Sequence, residues 1–287
     1  MNILITGLNN YLGEKVASYF AEQGDHVFCL VRSKVLFMRK RSPEPNITVI
    51  EGDLFREKYA PEMPAEVDIA FYLNQELADR GGIHRDMEII SVQNYVKKLR
   101  RISCQHFMYV SRMRSPLVDE VTQLLRQSYI PYTVVRTSNI IGKGSLLMEV
   151  MAKITSKFFI LSTSQIARSQ CQPIALADVL CYLKLMMLNP DVFNRKFDLG
   201  GPDSLSYKEM IQRYLEICKR KRPIIALPGM VLLADLWLSF SAGISLSLAR
   251  NFNYNASYDL LCEDETLKEL FPHTSLQFDE AVRLALV

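Results

Sequence analysis

Short apolar runs alternate with amphipathic stretches through the first half of the chain. Ile3, Leu4 and Ile5 form an unbroken apolar run, the pattern of a parallel strand covered on both faces. The spacing after Gly7 changes to that of a helix, and His26–Val31 returns to a strand pattern. The first 32 residues therefore predict strand, turn, helix and strand, a βαβ unit. Ile47–Ile50, Val67–Leu73, His106–Val110 and Tyr132–Arg136 predict four further strands, with helices near Asp86–Arg101 and Pro116–Gln127. Pro116 suits the first position of its helix, where an amide hydrogen is not needed. Strands alternating with helices of this length predict an α/β fold, a doubly wound parallel sheet of the Rossmann type.

After Gly144 the rhythm changes. Helical patterns at Leu146–Ser156, after Ala177-Asp178 and within Phe278–Leu286 dominate, and Ser206 followed by Glu209 is a capping-box pattern that predicts a helix start. Residues 1–144 are expected to form the nucleotide-binding domain. Residues 145–287 are expected to complete the sheet and build a smaller, mainly helical substrate subdomain that closes over the strand ends, where ligands bind in such folds.

The turn after the first strand reads Thr6-Gly7-Leu8-Asn9-Asn10-Tyr11-Leu12-Gly13. In a dinucleotide-binding turn the first glycine permits the sharp bend and the last lets helix and strand pack closely, so the helix start faces a pyrophosphate. Asn10 stands where the middle glycine belongs. Asparagine tolerates positive φ best among non-glycine residues, so the turn is expected to form, with the side chain intruding on the phosphate position. Arg32 ends the second strand, facing the adenosine ribose. A guanidinium there pairs with a 2′-phosphate, and Ser33 can donate to it as well, so NADP is favoured over NAD. Asp53 and Leu54 follow the third strand, placed for the adenine amine and ring; Asp53 also fits a helix N-cap.

Composition narrows the classes. The chain is 49% apolar and 23% charged, ordinary for a globular enzyme, and a net charge of +3 gives no case for nucleic acid. The basic clusters Arg39–Arg41, Lys97–Arg101 and Lys219–Arg222 read as solvated faces. Six scattered cysteines without a C-x-x-C pair, and four histidines without ligand spacing, predict no metal site and a reducing, cytoplasmic setting. Strand-forming residues from Asn2 onward leave no room for a signal peptide. Gly229–Ala249 is apolar apart from Asp235; its length would qualify as a span, but that carboxylate and the many Ser and Gly residues favour a buried helix pair near a substrate pocket.

The segments ITGLNNYLG, CLVRS, EGDL, AFYLNQ, FMYVS, LLRQSYIPYTVVRTSNIIGKGS, QPIALADVLCYL and FDLGGPDSLSYKEM occur in that order between residue 3 and about residue 210. In order and spacing the chain resembles the atypical short-chain dehydrogenase/reductase superfamily, in particular the NmrA-like proteins and the group containing the NAD(P)H-binding accessory subunit of respiratory complex I. The resemblance implies that Gly7, Asn9, Asn10, Tyr11 and Leu12 line the phosphates, and that Arg32 and Ser33 meet the 2′-phosphate. It implies further that Asp53 and Leu54 meet the adenine, that Leu73 and Asn74 approach a ribose, and that Ser111 orients a substrate carbonyl.

Active members of that superfamily take a Tyr-x-x-x-Lys pair from the helix after that serine, the tyrosine giving the proton and the lysine lowering its pKa. From Arg112 to Ser128 this chain has no Tyr, Lys or His, and its one Tyr-x-x-x-Lys, Tyr11 to Lys15, lies in the phosphate-loop helix. Tyr207 and His273 are alternative proton donors from the C-terminal part. Gly200-Gly201-Pro202 reads as a tight turn leaving an edge strand, with an anion loop as the other possibility. Three readings stay open: an NADP-dependent oxidoreductase or nucleotide-sugar epimerase-like enzyme, a catalytically inactive dinucleotide-binding redox sensor or accessory subunit, and a fold that no longer binds nucleotide and serves only as an interaction surface. The substrate and any protein partner are not legible.

Overall fold

The computed structural model describes residues 1–39, 45–74 and 83–287; Lys40 and Arg41 of the first basic cluster lie outside them. Two compact units emerge, the first comprising residues 1–136 and 182–197, the second residues 137–181 and 198–287.

The first unit is built on a seven-stranded sheet. Its strands are β1 (Asn2–Thr6), β2 (His26–Val31), β3 (Ile47–Glu51), β4 (Ile69–Asn74), β5 (His106–Arg112), β6 (Tyr132–Thr137) and, at the edge beside β6, Arg195–Leu199. From that edge the order is β6, β5, β4, β1, β2, β3. The pairs β1–β2, β1–β4, β2–β3 and β4–β5 are parallel, with Ile3 opposite Val27 and Ile69. The chain thus starts in the middle, runs to one edge through β3, and crosses to β4 on the other side. The strand order reverses between β1 and β4, and a crevice opens at the carboxyl ends there.

Both faces of the sheet are covered. Helices α1 (Tyr11–Glu22), α3 (Ile83–Arg101) and α4 (Val118–Arg126) flank it, and a short α2 (Lys34–Met38) follows β2. Leu4, Ala70, Phe107 and Val134 pack with Val92, Tyr95 and Leu99 of α3 and Val121 and Leu125 of α4. Strand alternation sends Phe71 to the opposite face, where its ring stacks on Phe20 of α1 at 5.7 Å. Cys29 and Cys104 are buried as small hydrophobes, and burial pushes the Cys104 thiol up to about 12. Pro116 differs from its expected place. It lies in the turn before Leu117, the N-cap of α4, because β5 extends to Arg112 and the chain needs two more residues to reverse.

His106 is fully buried in this unit. Its Nδ1 accepts from the Leu188 amide at 3.1 Å, and its Nε2 lies 2.9 Å from Thr133 Oγ1, which donates to the Val192 carbonyl. The ring is therefore a neutral imidazole with Nε2 protonated, and burial pulls its pKa down to about 4. The unfolded chain takes up this proton first, so the stabilisation is complete above the ordinary histidine range. It is lost as pH falls from about 6.5 toward 4, by on the order of 3 kcal/mol at most. Melting curves recorded near pH 7.5 and near pH 5 are expected to separate more for the wild type than for His106→Gln. Equal separation would show that another group carries the acid sensitivity.

The second unit is mainly helical. The helices Leu146–Thr155, Tyr207–Ile217, Val231–Ala242 and Leu246–Ala256 enclose a core of Val150, Ile154, Leu215, Leu238, Ala242 and Ala249. The capping box forms: Ser206 Oγ accepts from the Glu209 amide, and Glu209 accepts from the Ser206 amide at 2.8 Å. The Ser206 hydroxyl, donating at 2.6 Å, and then the Ser206 amide hold the Glu209 carboxyl below its usual range. Two short parallel strands, Ile160–Thr163 and Ile224–Leu227, lie side by side.

The Gly229–Ala249 stretch is bent, and it corrects one expectation. Its helices Val231–Ala242 and Leu246–Ala256 turn by 119° about Gly243, a left-handed cap with φ +62°. Among the described residues no single helix is long and apolar enough to cross a membrane. Asp235 is buried and accepts from Asn253 Nδ2 at 2.9 Å, which ties the two helices together. The pair is not buried throughout. Ala234, Leu238 and Ala242 face the core, while Leu232, Leu233, Leu236 and Phe240 remain exposed, because the first helix is apolar on every side.

Candidate functional site

β1 ends at Thr6 and the chain bends at Gly7, whose φ is +86°. A Cβ there would stand 2.0 Å from the Leu73 carbonyl oxygen, and one on Gly13 would stand 2.4 Å from the Gly7 oxygen. The two glycines therefore let the loop rest on β4 and let α1 rest on the loop.

Asn10 differs from its expected conformation. Its backbone is extended, φ −108° and ψ 161°, because Gly7 already supplies the reversal and Asn10 serves as the N-cap of α1. Its Oδ1 accepts from the Gly13 amide at 2.8 Å, and its Nδ2 donates to the Leu73 carbonyl at 2.8 Å. The side chain is thus held against β4 and its own helix. The amides of Tyr11 and Leu12 open the helix, with no carbonyl one turn earlier to accept them. Such amides, at the positive end of the helix dipole, suit an anion.

An open cleft lies beside this loop. Thr6, Gly7, Leu8 and Asn9 form one wall, Leu30, Val31 and Arg32 a second, and Gly52, Asp53 and Leu54 a third, with Tyr72 and Ser91 at the base. Gly52 is needed here for contact rather than φ, since a Cβ would come within 2.5 Å of Pro61. Five of the expected residues therefore share the cleft wall: Gly7, Asn9, Arg32, Asp53 and Leu54. Leu30, Tyr72 and Ser91 carried no signal in the sequence, because strand alternation and the α3 register bring them there from distant segments.

The remaining candidates surround the cleft or lie deeper. Leu12 and Leu73 are buried in the core, and Ser33 Oγ caps α2, accepting from the Leu36 amide at 3.4 Å. Asn74 ends β4 opposite Ser111 in the strand register, and its Nδ2 donates to Glu88 at 2.8 Å. Ser111 is fully buried, and its hydroxyl donates to the Arg112 carbonyl at 3.4 Å. Asp53 is not a helix cap. Its Oδ1 accepts from the Phe55 amide at 2.9 Å, a turn that leads only into a single 3-10 turn at Glu57–Tyr59.

The rim is cationic but loosely so. Arg32 Nε stands 3.9 Å from Asp53 Oδ1, with its side chain 65% exposed, and Arg56 Nε stands 4.0 Å from the other oxygen. Exposed pairs of this length contribute on the order of 1 kcal/mol or less, so Arg32 can exchange Asp53 for a stronger anion. Deeper in, burial and then the Glu88 charge raise the phenols of Tyr72 and Tyr109. Both are held neutral and are poor proton donors near neutral pH. Helix α4 carries neither Tyr nor Lys.

The other candidate groups are engaged within the second unit. Tyr207 Oη accepts from Asn139 Nδ2 at 2.8 Å. His273 Nε2 stands 2.8 Å from Asp178 Oδ1 and its Nδ1 3.7 Å from Cys181 Sγ. Gly201 forms a packed turn rather than an open loop: its amide donates to the Gln172 carbonyl, and a Cβ would stand 2.1 Å from the Pro173 oxygen.

No protein-family model matches the chain, and no curated protein matches its sequence. Solved structures do match its fold. A nucleoside-diphosphate-sugar epimerase from Staphylococcus aureus superposes with a TM-score of 0.69 at 17% identity, covering 99% of this chain and 100% of that one. A Citrobacter sp. triphenylmethane reductase complexed with NADP(H) gives 0.73 at 14% identity, with 99% of each chain covered. A Bordetella bronchiseptica enzyme in complex with NAD+ gives 0.69 at 13% identity, covering 99% of this chain and 97% of that one. Over its whole length the chain has the Rossmann-type fold of these epimerases and reductases.

Proposed function

We propose that this chain belongs to the atypical short-chain dehydrogenase/reductases and binds a nicotinamide dinucleotide in the β1–α1 cleft, taking NADP in preference to NAD. The observation that carries the reading is the loop itself. Gly7 bends it at positive φ onto β4, and Asn10 caps α1 without covering the Tyr11 and Leu12 amides. In this reading Gly7, Asn9, Tyr11 and Leu12 hold the diphosphate, and Asn10 fixes the loop that presents them. Arg32 and Ser33 take the 2′-phosphate, Asp53 accepts from the adenine amine and Leu54 packs on its ring. Leu73 and Asn74 border a ribose, and Ser111 orients a carbonyl. Structural neighbours bind NADP(H) in one case and NAD+ in another, so the preference rests on Arg32 alone.

The bound cofactor supplies a hydride, which makes an NADP-dependent oxidoreductase the broad class. One observation favours a second reading, a dinucleotide-binding sensor or accessory subunit without turnover: the helix after Ser111 offers no Tyr or Lys, and the nearby phenols are raised by burial. Calorimetric titration tests the shared claim, with micromolar NADPH affinity expected; no detectable heat at millimolar cofactor would end both readings. A panel of carbonyl, quinone and nucleotide-sugar substrates then separates them by NADPH oxidation. If turnover is found, Ser111→Ala is expected to lower it at least about tenfold while leaving NADPH affinity within about twofold. An unchanged rate would remove Ser111 from the reaction.

A further inference from the structure

The second unit presents an apolar face that the nucleotide reading leaves unused. Phe158 is 91% exposed and Phe240 83%, and Met230, Leu232, Leu233 and Leu236 are each about half exposed beside them. These residues share one surface. The Phe159 ring stands 6.1 Å from Trp237, and the Lys157 ammonium lies 5.8 Å from the centre of the Phe240 ring. The inner side of the same helix, through Trp237 and Leu238, lines a small apolar pocket, so the helix presents apolar residues inward and outward. A helix of that kind on a protein surface marks an interaction face.

Charge identifies what the face meets. From Val150 to Ala177 and from Ile217 to Tyr258 the only acidic residue is Asp235, which is buried and bonded to Asn253. The same two segments carry Lys153, Lys157 and Arg168, then Lys219, Arg220, Lys221 and Arg222; Arg250 also falls there but pairs with Asp235 at 3.8 Å. Pro223, which ends this basic segment, lies beside the strand that follows Phe159, its carbonyl accepting from the Ile160 amide at 2.9 Å. Exposed apolar side chains flanked by cations that outnumber the exposed carboxylates Glu149, Glu216 and Asp259 at the segment ends match an anionic bilayer: rings and aliphatic chains enter the headgroup layer and the cations pair with phosphates. Lys157 joins the two parts of the surface, its ammonium standing over the Phe240 ring. A second copy of this chain fits poorly, because a two-fold contact would lay the cationic rim on itself. Neither helix alone is long enough to cross, and the pair turns by 119° at Gly243, so contact with one leaflet is the arrangement proposed.

We propose that the second unit docks on the surface of an anionic membrane through Phe158, Phe240 and the outer face of the Val231–Ala242 helix. The test is flotation of the full chain with phosphatidylcholine vesicles, alone or with about one third phosphatidylglycerol. Recovery with the anionic vesicles is expected to exceed that with neutral ones at least about tenfold and to fall in high salt. Leu236→Ser with Phe240→Ser is expected to abolish it. Lys157→Glu with Lys221→Glu, which leaves the apolar surface intact, is expected to reduce it at least about tenfold. Failure of the wild type to float with anionic vesicles would overturn the proposal, as would equal binding to neutral vesicles. A sedimenting dimer that becomes monomeric in Leu236→Ser with Phe240→Ser, without flotation, would assign the face to a second copy instead.

Discussion

Gly7→Ala is expected to lower stability by on the order of 4 kcal/mol and to abolish dinucleotide binding. Two effects add. A residue with a side chain at φ +86° carries about 1–3 kcal/mol of backbone strain. The new Cβ would also stand 2.0 Å from the Leu73 oxygen, a backbone atom of a central strand that cannot turn aside. The chain contains its own control. Gly24 has φ +88°, yet nothing lies within 4 Å of a Cβ built there. Gly24→Ala therefore carries the strain alone, about 1 kcal/mol, and should leave binding intact. Thermal melts are expected to place Gly7→Ala roughly 10 °C below wild type and Gly24→Ala within a few degrees of it. Similar melts for both variants would mean that the loop does not rest on β4.

Arg32→Ala is expected to weaken NADPH binding about 30-fold and to change NADH binding less than about twofold. A charge-assisted contact to phosphate contributes about 1.5–3 kcal/mol, more than the exposed 3.9 Å pairing with Asp53 that it displaces. The difference, roughly 2 kcal/mol, sets the fold-change. Arg32→Asp should go further and favour NADH, because a carboxylate accepts from the 2′-hydroxyl and repels a 2′-phosphate. Calorimetry with both cofactors reads the split directly. Parallel losses for NADH and NADPH would mean that Arg32 acts through the fold of the rim and not on the phosphate.

Local periodicity made much of the architecture legible. Strands covered on both faces read as apolar runs at Ile3–Ile5 and His106–Val110, and the Ser206–Glu209 box announced its helix because both partners lie within four residues. The edge position of the strand ending in FDL also followed from its turn. What escaped was set by distance or by one residue type serving two roles. Asn10 was read as a left-handed turn residue, whereas it is an extended cap held by its bonds to Gly13 and to Leu73, the latter 63 residues away. Tyr72 and Ser91 reach the cleft from β4 and α3, which no spacing within the loop could reveal. The outer face of the Val231–Ala242 helix looked like core because composition reports that residues are apolar and not whether anything covers them.

The central claim is that the Gly7–Leu12 bend holds a diphosphate against the first amides of α1. The most direct test is a crystal structure of the chain with NADP+. The expected map shows the diphosphate within hydrogen-bond distance of the Tyr11 and Leu12 amides, the 2′-phosphate against Arg32, and Asn10 still bonded to Leu73. A map with that bend unoccupied and the dinucleotide seated elsewhere would contradict the account.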